Sequence, residues 1–230
     1  MVCLALSGCI TVPTEEPAPA STPAAGQPSY VDRLKATPVD KPTDGAASGT
    51  LPQFVTDSRN IACVFTTSRA GNLNQPWEPN NYGDAANAKA PTIPVVNCEL
   101  ASYPDPSAKD VTDDCAGTSI GYLGGTALLS PDKVGYGGCR AGATAVEASF
   151  GTDGTASEVM SQIPVLEQGR AMEAEGYRCA PMDDGVACAN LATGLGFFAA
   201  AEKYELFGPG HKAASPASAA TPKVTTAKAG

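Results

Sequence analysis

Six cysteines spread through the middle of the chain restrict its fold more than any other feature. They are Cys63, Cys98, Cys115, Cys139, Cys179 and Cys188. An even set of cysteines is typical of a disulfide framework when the chain is exported. No two of these cysteines lie closer than nine residues, unlike the closely paired cysteines of zinc sites. We therefore predict disulfides and no metal ion or other cofactor.

One disulfide follows from hairpin geometry. Two apolar runs flank the sequence Asp183-Asp184-Gly185, and these residue types favour a tight turn. In a hairpin centred on this turn, Cys179 and Cys188 lie directly opposite each other, at a separation suited to a disulfide. The remaining cysteines favour the pairs Cys63–Cys98, which would join two β-type runs, and Cys115–Cys139, which would close a glycine-rich loop.

The N-terminus indicates export. Leu6-Ser7-Gly8-Cys9 has the form of a bacterial lipobox, in which the thiol of Cys9 would carry a diacylglycerol and become the mature N-terminus. Residues 1–8 would then be the remnant of a signal peptide. The apolar stretch before this box is shorter than a secretory signal needs, so we expect the true start to lie upstream or the chain to be truncated. The alternative is a chance Leu-Ser-Gly-Cys in a cytosolic protein.

Composition divides the rest of the chain into three parts. Residues 9–50 are rich in Pro, Ala and Thr, and they are expected to form a disordered tether. Residues 51–208 hold thirteen of the fourteen aromatic residues, so they form the predicted folded domain. Residues 209–230 return to Ala, Pro and Lys, which predicts a second disordered tail.

Charge and composition exclude several classes of function. The net charge of −9, with no basic cluster, argues against a nucleic-acid partner. No apolar run is long enough to span a bilayer, so membrane contact is expected through the lipid anchor alone. The single histidine, His211, lies in the predicted tail, which leaves nothing from which to build a Ser-His-Asp or Cys-His catalytic system.

The folded domain is expected to be mainly β, a small disulfide-stapled sandwich or barrel-like domain with one or two short helices. Residues 61–66, 93–100 and 143–150 have strand-like patterns, whereas a capping-box pattern at 155–158 predicts a short helix that ends before Pro164. A second helix is expected over 199–207. Two glycine-rich stretches, at 121–125 and 135–138, do not match phosphate-binding loops and are interpreted as turns.

One insert suggests a contact site. Residues 69–90 are too long for an ordinary hairpin connection, and they carry Trp77 between two prolines and Tyr82 shortly after it. An aromatic side chain on a stiff polar loop can stack on a sugar ring or anchor a partner protein. The alternative is that Trp77 folds back over the core. The acidic residues between 105 and 114 lack the spacing of a calcium loop, and a solvated loop is preferred there.

Several short motifs resemble those of an actinobacterial family of secreted or lipid-anchored proteins of unknown function. The matching segments are Ser58-Arg59-Asn60-Ile61-Ala62-Cys63, Val96-Asn97-Cys98-Glu99, Tyr177-Arg178-Cys179, Gly185-Val186-Ala187-Cys188-Ala189-Asn190 and Gly194-Leu195-Gly196-Phe197. The resemblance covers most of residues 51–207. It implies a location outside the cytoplasm, on the outer face of the cell membrane, and a disulfide scaffold, but no reaction.

The leading functional hypothesis is a non-catalytic, lipid-anchored cell-envelope module that binds an envelope protein or a wall polymer, or that has a structural role. No catalytic residue can be nominated from the sequence. The alternative is a hydrolase that acts on envelope glycans with two carboxylates, which must lie about 5 to 10 Å apart across a cleft. A third interpretation is a purely structural stalk domain.

Overall fold

The computed structural model describes residues 28–40, 51–69, 91–107, 110, 121–140, 144–148 and 156–211. Within them, ten strands form two antiparallel five-stranded sheets, each a simple meander. The expectation of a mainly β domain with a few short helices is confirmed. No helix in these residues is both long and apolar enough to cross a bilayer.

The elements follow the chain in two halves. Sheet 1 contains β1 (Gln53–Val55), β2 (Ile61–Arg69), β3 (Thr92–Leu100), β4 (Gly121–Leu129) and β5 (Val134–Arg140). Sheet 2 contains β6 (Met172–Ala174), β7 (Tyr177–Met182), β8 (Gly185–Asn190), β9 (Gly196–Ala200) and β10 (Tyr204–Phe207). The helices are α1 (Tyr30–Ala36), α2 (Ala145–Ala148) and α3 (Ala156–Gln162).

The two sheets share one apolar core. Side chains alternate between the faces of a strand, so Val96, Cys98 and Leu100 of β3 point to the same side. They belong to the same buried cluster as inward residues of sheet 2 such as Phe197. The hydroxyl of Tyr177 crosses between the sheets and donates to the carbonyl oxygen of Pro94, 2.9 Å away. Burial raises the pKa of Tyr177 to about 12.

Each outer face is covered by helices from the other half of the chain. Helix α1 precedes sheet 1 in sequence, yet Leu34 lies in the apolar cluster on the outer face of sheet 2. Helices α2 and α3 lead into sheet 2, yet Val146 and Met160 pack on the outer face of sheet 1. The fold is therefore four layers deep, and both sheets are buried on both faces.

The segments that follow α1 and α3 pair with the sheets in the same way. After α1, the carbonyl oxygen of Pro38 accepts from the Ala171 amide, and the Asp40 amide donates back to the Ala171 carbonyl oxygen. After α3, the carbonyl oxygen of Pro164 accepts from the Val55 amide, and the Leu166 amide donates back to Val55. Each helix is thus followed by a proline and then by a parallel β-bridge. Val39 pairs with Ala171 after α1, and Val165 pairs with Val55 after α3. These bridges protect the β1 edge and the start of β6 from unwanted pairing.

Two arginines cap the C-terminal ends of α1 and α3. The guanidinium of Arg178 donates to the carbonyl oxygens of Leu34 and Lys35 at the end of α1. That of Arg59 donates to the carbonyl oxygens of Met160 and Ser161 at the end of α3. The last carbonyls of a helix have no partner within it, and they carry partial negative charge. Each arginine therefore fastens a helix to the sheet that it covers.

The predicted tether over residues 9–50 is wrong for residues 28–40. The ring of Tyr30 stacks on Phe198 and Phe207, with centroid distances of 4.9 and 5.4 Å. The guanidinium of Arg33 makes two 2.9 Å hydrogen bonds to Asp183, and this holds the pKa of the Asp183 carboxyl below its usual value. Compositional reasoning missed α1 because a single turn of apolar residues becomes stable only on an apolar surface.

Three local predictions are also wrong. Residues 145–148 form α2 instead of a strand, and residues 199–207 form the β9–β10 hairpin instead of a helix. The glycine-rich stretches lie within β4 and β5 and are not turns. A Cβ added at Gly125 would lie 2.3 Å from a ring carbon of Tyr103, so that glycine serves a close approach.

Other predictions fall outside the described residues or at their limit. The described residues do not include the predicted lipid-attachment residue Cys9 or the predicted contact residues Trp77 and Tyr82. They also do not include Cys115, so the predicted Cys115–Cys139 disulfide stays a prediction. The predicted C-terminal tail begins slightly too early, because residues 209–211 continue the fold as a turn. In that turn the His211 amide donates to the carbonyl oxygen of Gly208.

The docking of α1 leads to the first prediction. Leu34 is fully buried, so Leu34→Ala should lower the free energy of unfolding by about 2–5 kcal/mol, as for other large-to-small core changes. The neighbouring Lys35 is exposed, and Lys35→Ala should change it by less than about 0.5 kcal/mol. Urea unfolding of both variants measures the difference. Equal stabilities would show that this segment is a tether after all.

Candidate functional site

Two predicted disulfides are confirmed. Cys63 and Cys98 lie opposite each other on β2 and β3, with a Cα–Cα distance of 4.0 Å. Cys179 and Cys188 lie opposite each other on β7 and β8, with a Cα–Cα distance of 4.1 Å. All four residues are fully buried in the core between the sheets. Their role in this state is therefore to fix strand register and not to meet a substrate.

The two disulfides touch each other. The Sγ atoms of Cys98 and Cys188, which belong to different sheets, are 3.9 Å apart. The Sγ atoms of Cys63, Cys98 and Cys188 all lie within 4.8 Å of one another. Both bridges sit in the central apolar cluster, so sulfur atoms form the contact between the sheets at this point.

A second group of chemically active residues lies under α2. Glu99 of β3 and Glu147 of α2 are 3% and 2% exposed, and both bind Thr144. The Thr144 hydroxyl donates to the Glu99 carboxylate at 2.5 Å. The same hydroxyl accepts from the Glu147 amide, and the Glu147 carboxylate accepts from the Thr144 amide. This reciprocal arrangement is a capping box that begins α2 and fastens it to sheet 1.

These carboxylates are not arranged for the glycan hydrolysis that the sequence left open. A hydrolytic pair must face a cleft that holds both a sugar and a water molecule. Glu99 and Glu147 are instead closed off from solvent, and each already accepts a hydrogen bond from Thr144. What this arrangement does is hold a short helix in position.

Asn97 is another buried polar residue on the same face of β3. It is 4% exposed, and its side-chain amide donates a long hydrogen bond of 3.4 Å to the carbonyl oxygen of Ala127. Its Oδ1 atom has no hydrogen-bond partner among the described residues. Such atoms are rare in folded proteins because leaving one unpaired is costly. Asn97 and Glu99 thus place buried polar groups on the outer face of sheet 1.

The motif residues behind the family resemblance serve the scaffold. Tyr177 links the sheets, Arg178 caps α1, and Asn190 accepts from the amides of Ala192 and Thr193 in the turn before β9. A Cβ at Gly185 would lie 2.2 Å from the carbonyl oxygen of Ala199, so a larger residue does not fit. These four motif residues therefore have structural roles.

An exposed tyrosine marks a surface feature that sequence reasoning missed. The ring of Tyr103 is 42% exposed and packs against Gly124 and Gly125. Nearby, Tyr136 of β5 and Tyr204 of β10 stack with a centroid distance of 4.0 Å, so they join the two sheets. The available signal was Tyr103-Pro104-Asp105-Pro106, a stiff segment with an aromatic residue. The prediction of a turn at residues 121–125 did not identify Gly124 and Gly125 as the surface on which the ring packs.

The insert that carries Trp77 and Tyr82 leaves the most extensive strand pair of the structure. Strands β2 and β3 pair over nine residues, from Ile61 opposite Leu100 to Arg69 opposite Thr92. The Cys63–Cys98 disulfide crosslinks this pair. The ends of the insert are thus fixed to a rigid ladder, although the two aromatic residues themselves lie outside the described residues.

Comparisons with known proteins add no assignment. A scan of protein-family models, a search of curated proteins and a search of solved structures find no match to this chain.

The second prediction tests whether the buried carboxylates are structural. Thr144→Val removes the cap of α2 and the hydroxyl that donates to Glu99. The free energy of unfolding should fall by about 2–4 kcal/mol, from a lost cap and an unpaired buried acceptor. Thr92→Val makes the same chemical change at an exposed position of β3 and should change it by less than about 0.5 kcal/mol. If the urea midpoints of the two variants agree, Thr144 does not secure α2.

Proposed function

We propose that this protein is a lipid-anchored, extracytoplasmic domain that binds a cell-envelope protein or a wall polymer without catalysing a reaction. The lipobox at Cys9, the two buried disulfides and the resemblance to secreted actinobacterial proteins support the location. The structural use of the buried carboxylates and the described cysteines supports a binding role.

The observation that carries the binding proposal is the attachment of the aromatic insert. A loop that must order on binding loses conformational entropy, and fixing its ends reduces that cost. Here the ends are held by the disulfide-crosslinked ladder of β2 and β3. Trp77 and Tyr82 are large amphipathic side chains of the kind that dominate binding energy at protein and carbohydrate contacts.

The docking of α1 also limits how far the domain can lie from the membrane. The chain from Cys9 to the N-cap residue Ser29 can span at most about 70 Å when fully extended. A tether that ran to residue 50 could span about twice that distance. The proposed partner is therefore one that lies within this shorter reach of the bilayer surface.

The third prediction concerns the anchor. Cys9→Ser removes the thiol that would carry the diacylglycerol, so the protein should move from the membrane fraction to the soluble extracytoplasmic fraction. Cys3→Ser changes a cysteine that precedes the expected cleavage position, and it should leave the protein in the membrane fraction. Immunoblots of fractionated cells measure both. Membrane retention of the Cys9→Ser variant would contradict lipid attachment at this residue.

The fourth prediction concerns the insert. Crosslinking in intact cells, followed by mass spectrometry, should capture an envelope protein or wall fragment with the wild type. Trp77→Ala should lower the yield of that product by about tenfold or more, as expected for a central aromatic contact worth at least about 1.4 kcal/mol. Tyr82→Ala should lower it less.

The matched control is Val165→Thr, an isosteric change of an apolar residue that is 38% exposed and lies outside the insert in sequence. It should capture the partner at wild-type yield. The binding proposal fails if Trp77→Ala captures as much as this control, or if the wild type captures nothing above a protein-free background.

A further inference from the structure

Strand register and sheet packing bring the sulfur atoms of two disulfides together in this protein. The register of sheet 1 sets Cys63 opposite Cys98, and the register of sheet 2 sets Cys179 opposite Cys188. Packing of the inner faces then places Cys98 Sγ 3.9 Å from Cys188 Sγ. The backbone hydrogen bonds that fix these positions do not depend on the S–S bonds. A reduced chain with the same fold would therefore hold three of these thiols within 4.8 Å of one another, with Cys179 next to Cys188.

The spacing suits a tetrahedral metal ion. Zinc–thiolate bonds are about 2.3 Å long, so two sulfur ligands of a tetrahedral site lie about 3.8 Å apart. The contact between Cys98 and Cys188 already has this length, and the Sγ atoms of these two residues and Cys63 lie within 4.8 Å of one another. Cys179 Sγ lies outside this group of three but is bonded to Cys188 Sγ in the oxidised state, so it would have to turn toward the other sulfurs after reduction to become the fourth ligand.

The surroundings select the kind of ion. The sulfur atoms lie in an apolar cluster with side chains such as Phe65, Leu129 and Phe197. The group of possible metal ligands at this place in the described structure consists of cysteines alone. Magnesium and calcium need oxygen ligands such as carboxylates, whereas thiolates favour zinc and other soft or borderline cations. An apolar environment also disfavours a free thiolate, so a bound cation would be required to hold the deprotonated sulfurs.

We propose that the reduced form of this protein binds one zinc-type divalent cation between its two sheets, through Cys63, Cys98, Cys179 and Cys188. Reduction breaks both S–S bonds: for each bond a phosphine gives two electrons, water gives the two protons of the new thiols, and the oxygen atom of that water leaves on the phosphine oxide. Binding then forms metal–sulfur bonds, and each ligating thiol releases its proton to solvent. The disulfide-bonded sulfurs are not thiolates and cannot hold the ion in this way, so the site exists in the reduced state only.

No sequence motif indicates this site, because its ligands are not close together along the chain. Cys63 and Cys98 are 35 residues apart in sheet 1, and Cys179 and Cys188 are 9 residues apart in sheet 2. Zinc sites recognised from sequence have ligands two to four residues apart on one turn. Only the packing of the two sheets completes this one.

The test is a Co²⁺ titration of the full chain after reduction by a phosphine under nitrogen. Co²⁺ reports tetrahedral thiolate ligation by its visible ligand-field absorption and its sulfur-to-metal charge-transfer band. The reduced wild type should develop both bands, saturate at one equivalent and lose them when Zn²⁺ is added. The oxidised wild type should show neither band.

Two variants locate the ion. Cys98→Ser should weaken Co²⁺ binding by more than about tenfold, since loss of an outer-shell partner alone costs that much in metal sites. The double variant Cys115→Ser/Cys139→Ser removes the other core cysteines and should bind like the wild type. The proposal is overturned if the reduced wild type shows no charge-transfer band, or if the double variant loses the band. The first of these results does not depend on whether any variant folds.

Discussion

The packing of two cross-strand cysteine pairs against each other, in the apolar interface between the sheets, is the constraint on which the rest of this structure depends. Each bridge joins neighbouring strands within one sheet, and the 3.9 Å contact between Cys98 and Cys188 sets one sheet on the other. In the chain-entropy model, closing the 35-residue loop stabilises the fold by about 3.8 kcal/mol and closing the 9-residue loop by about 2.6 kcal/mol. Each amount adds to the stability that the hydrogen-bonded sheets and the packed core provide.

The crossed helices extend this constraint to the outer faces. Sheet 2 has many alanines on its outer face, among them Ala180, Ala187 and Ala189, and small side chains let α1 approach the strands closely. Because α1 comes from the start of the chain and α3 from its middle, neither half can complete its own core. Both helices are then fixed in the same way, by an arginine at the helix end and a parallel bridge after a proline. The two halves should therefore unfold together and not one after the other.

This arrangement separates stability from recognition. The buried polar residues of the described structure serve the scaffold: Thr144 caps α2, Tyr177 links the sheets, and Arg178 holds α1. The exposed aromatic residue Tyr103 lies at a loop, and the sequence places Trp77 in another loop that leaves the crosslinked ladder. Residues on loops of a rigid scaffold can change without loss of the fold, which is consistent with the binding role proposed above.

The sequence by itself determined the features that depend on neighbours along the chain: the hairpin with its Cys179–Cys188 bridge, the strands around Cys63 and Cys98, and the end of α3 before Pro164. It also contained the capping box of Thr144 and Glu147, which was overlooked beside an apparent alternation of apolar residues. Only the tertiary structure decided the rest. The β9–β10 hairpin resembled a helix because both faces of its sheet are buried, so apolar residues no longer alternate with polar ones. Three features join residues that are far apart in the chain: the docking of α1, the Thr144–Glu99 hydrogen bond and the contact between the two disulfides. The contact between the disulfides forms only when one sheet packs on the other. The other two form only when a helix packs on the sheet of the opposite half of the chain.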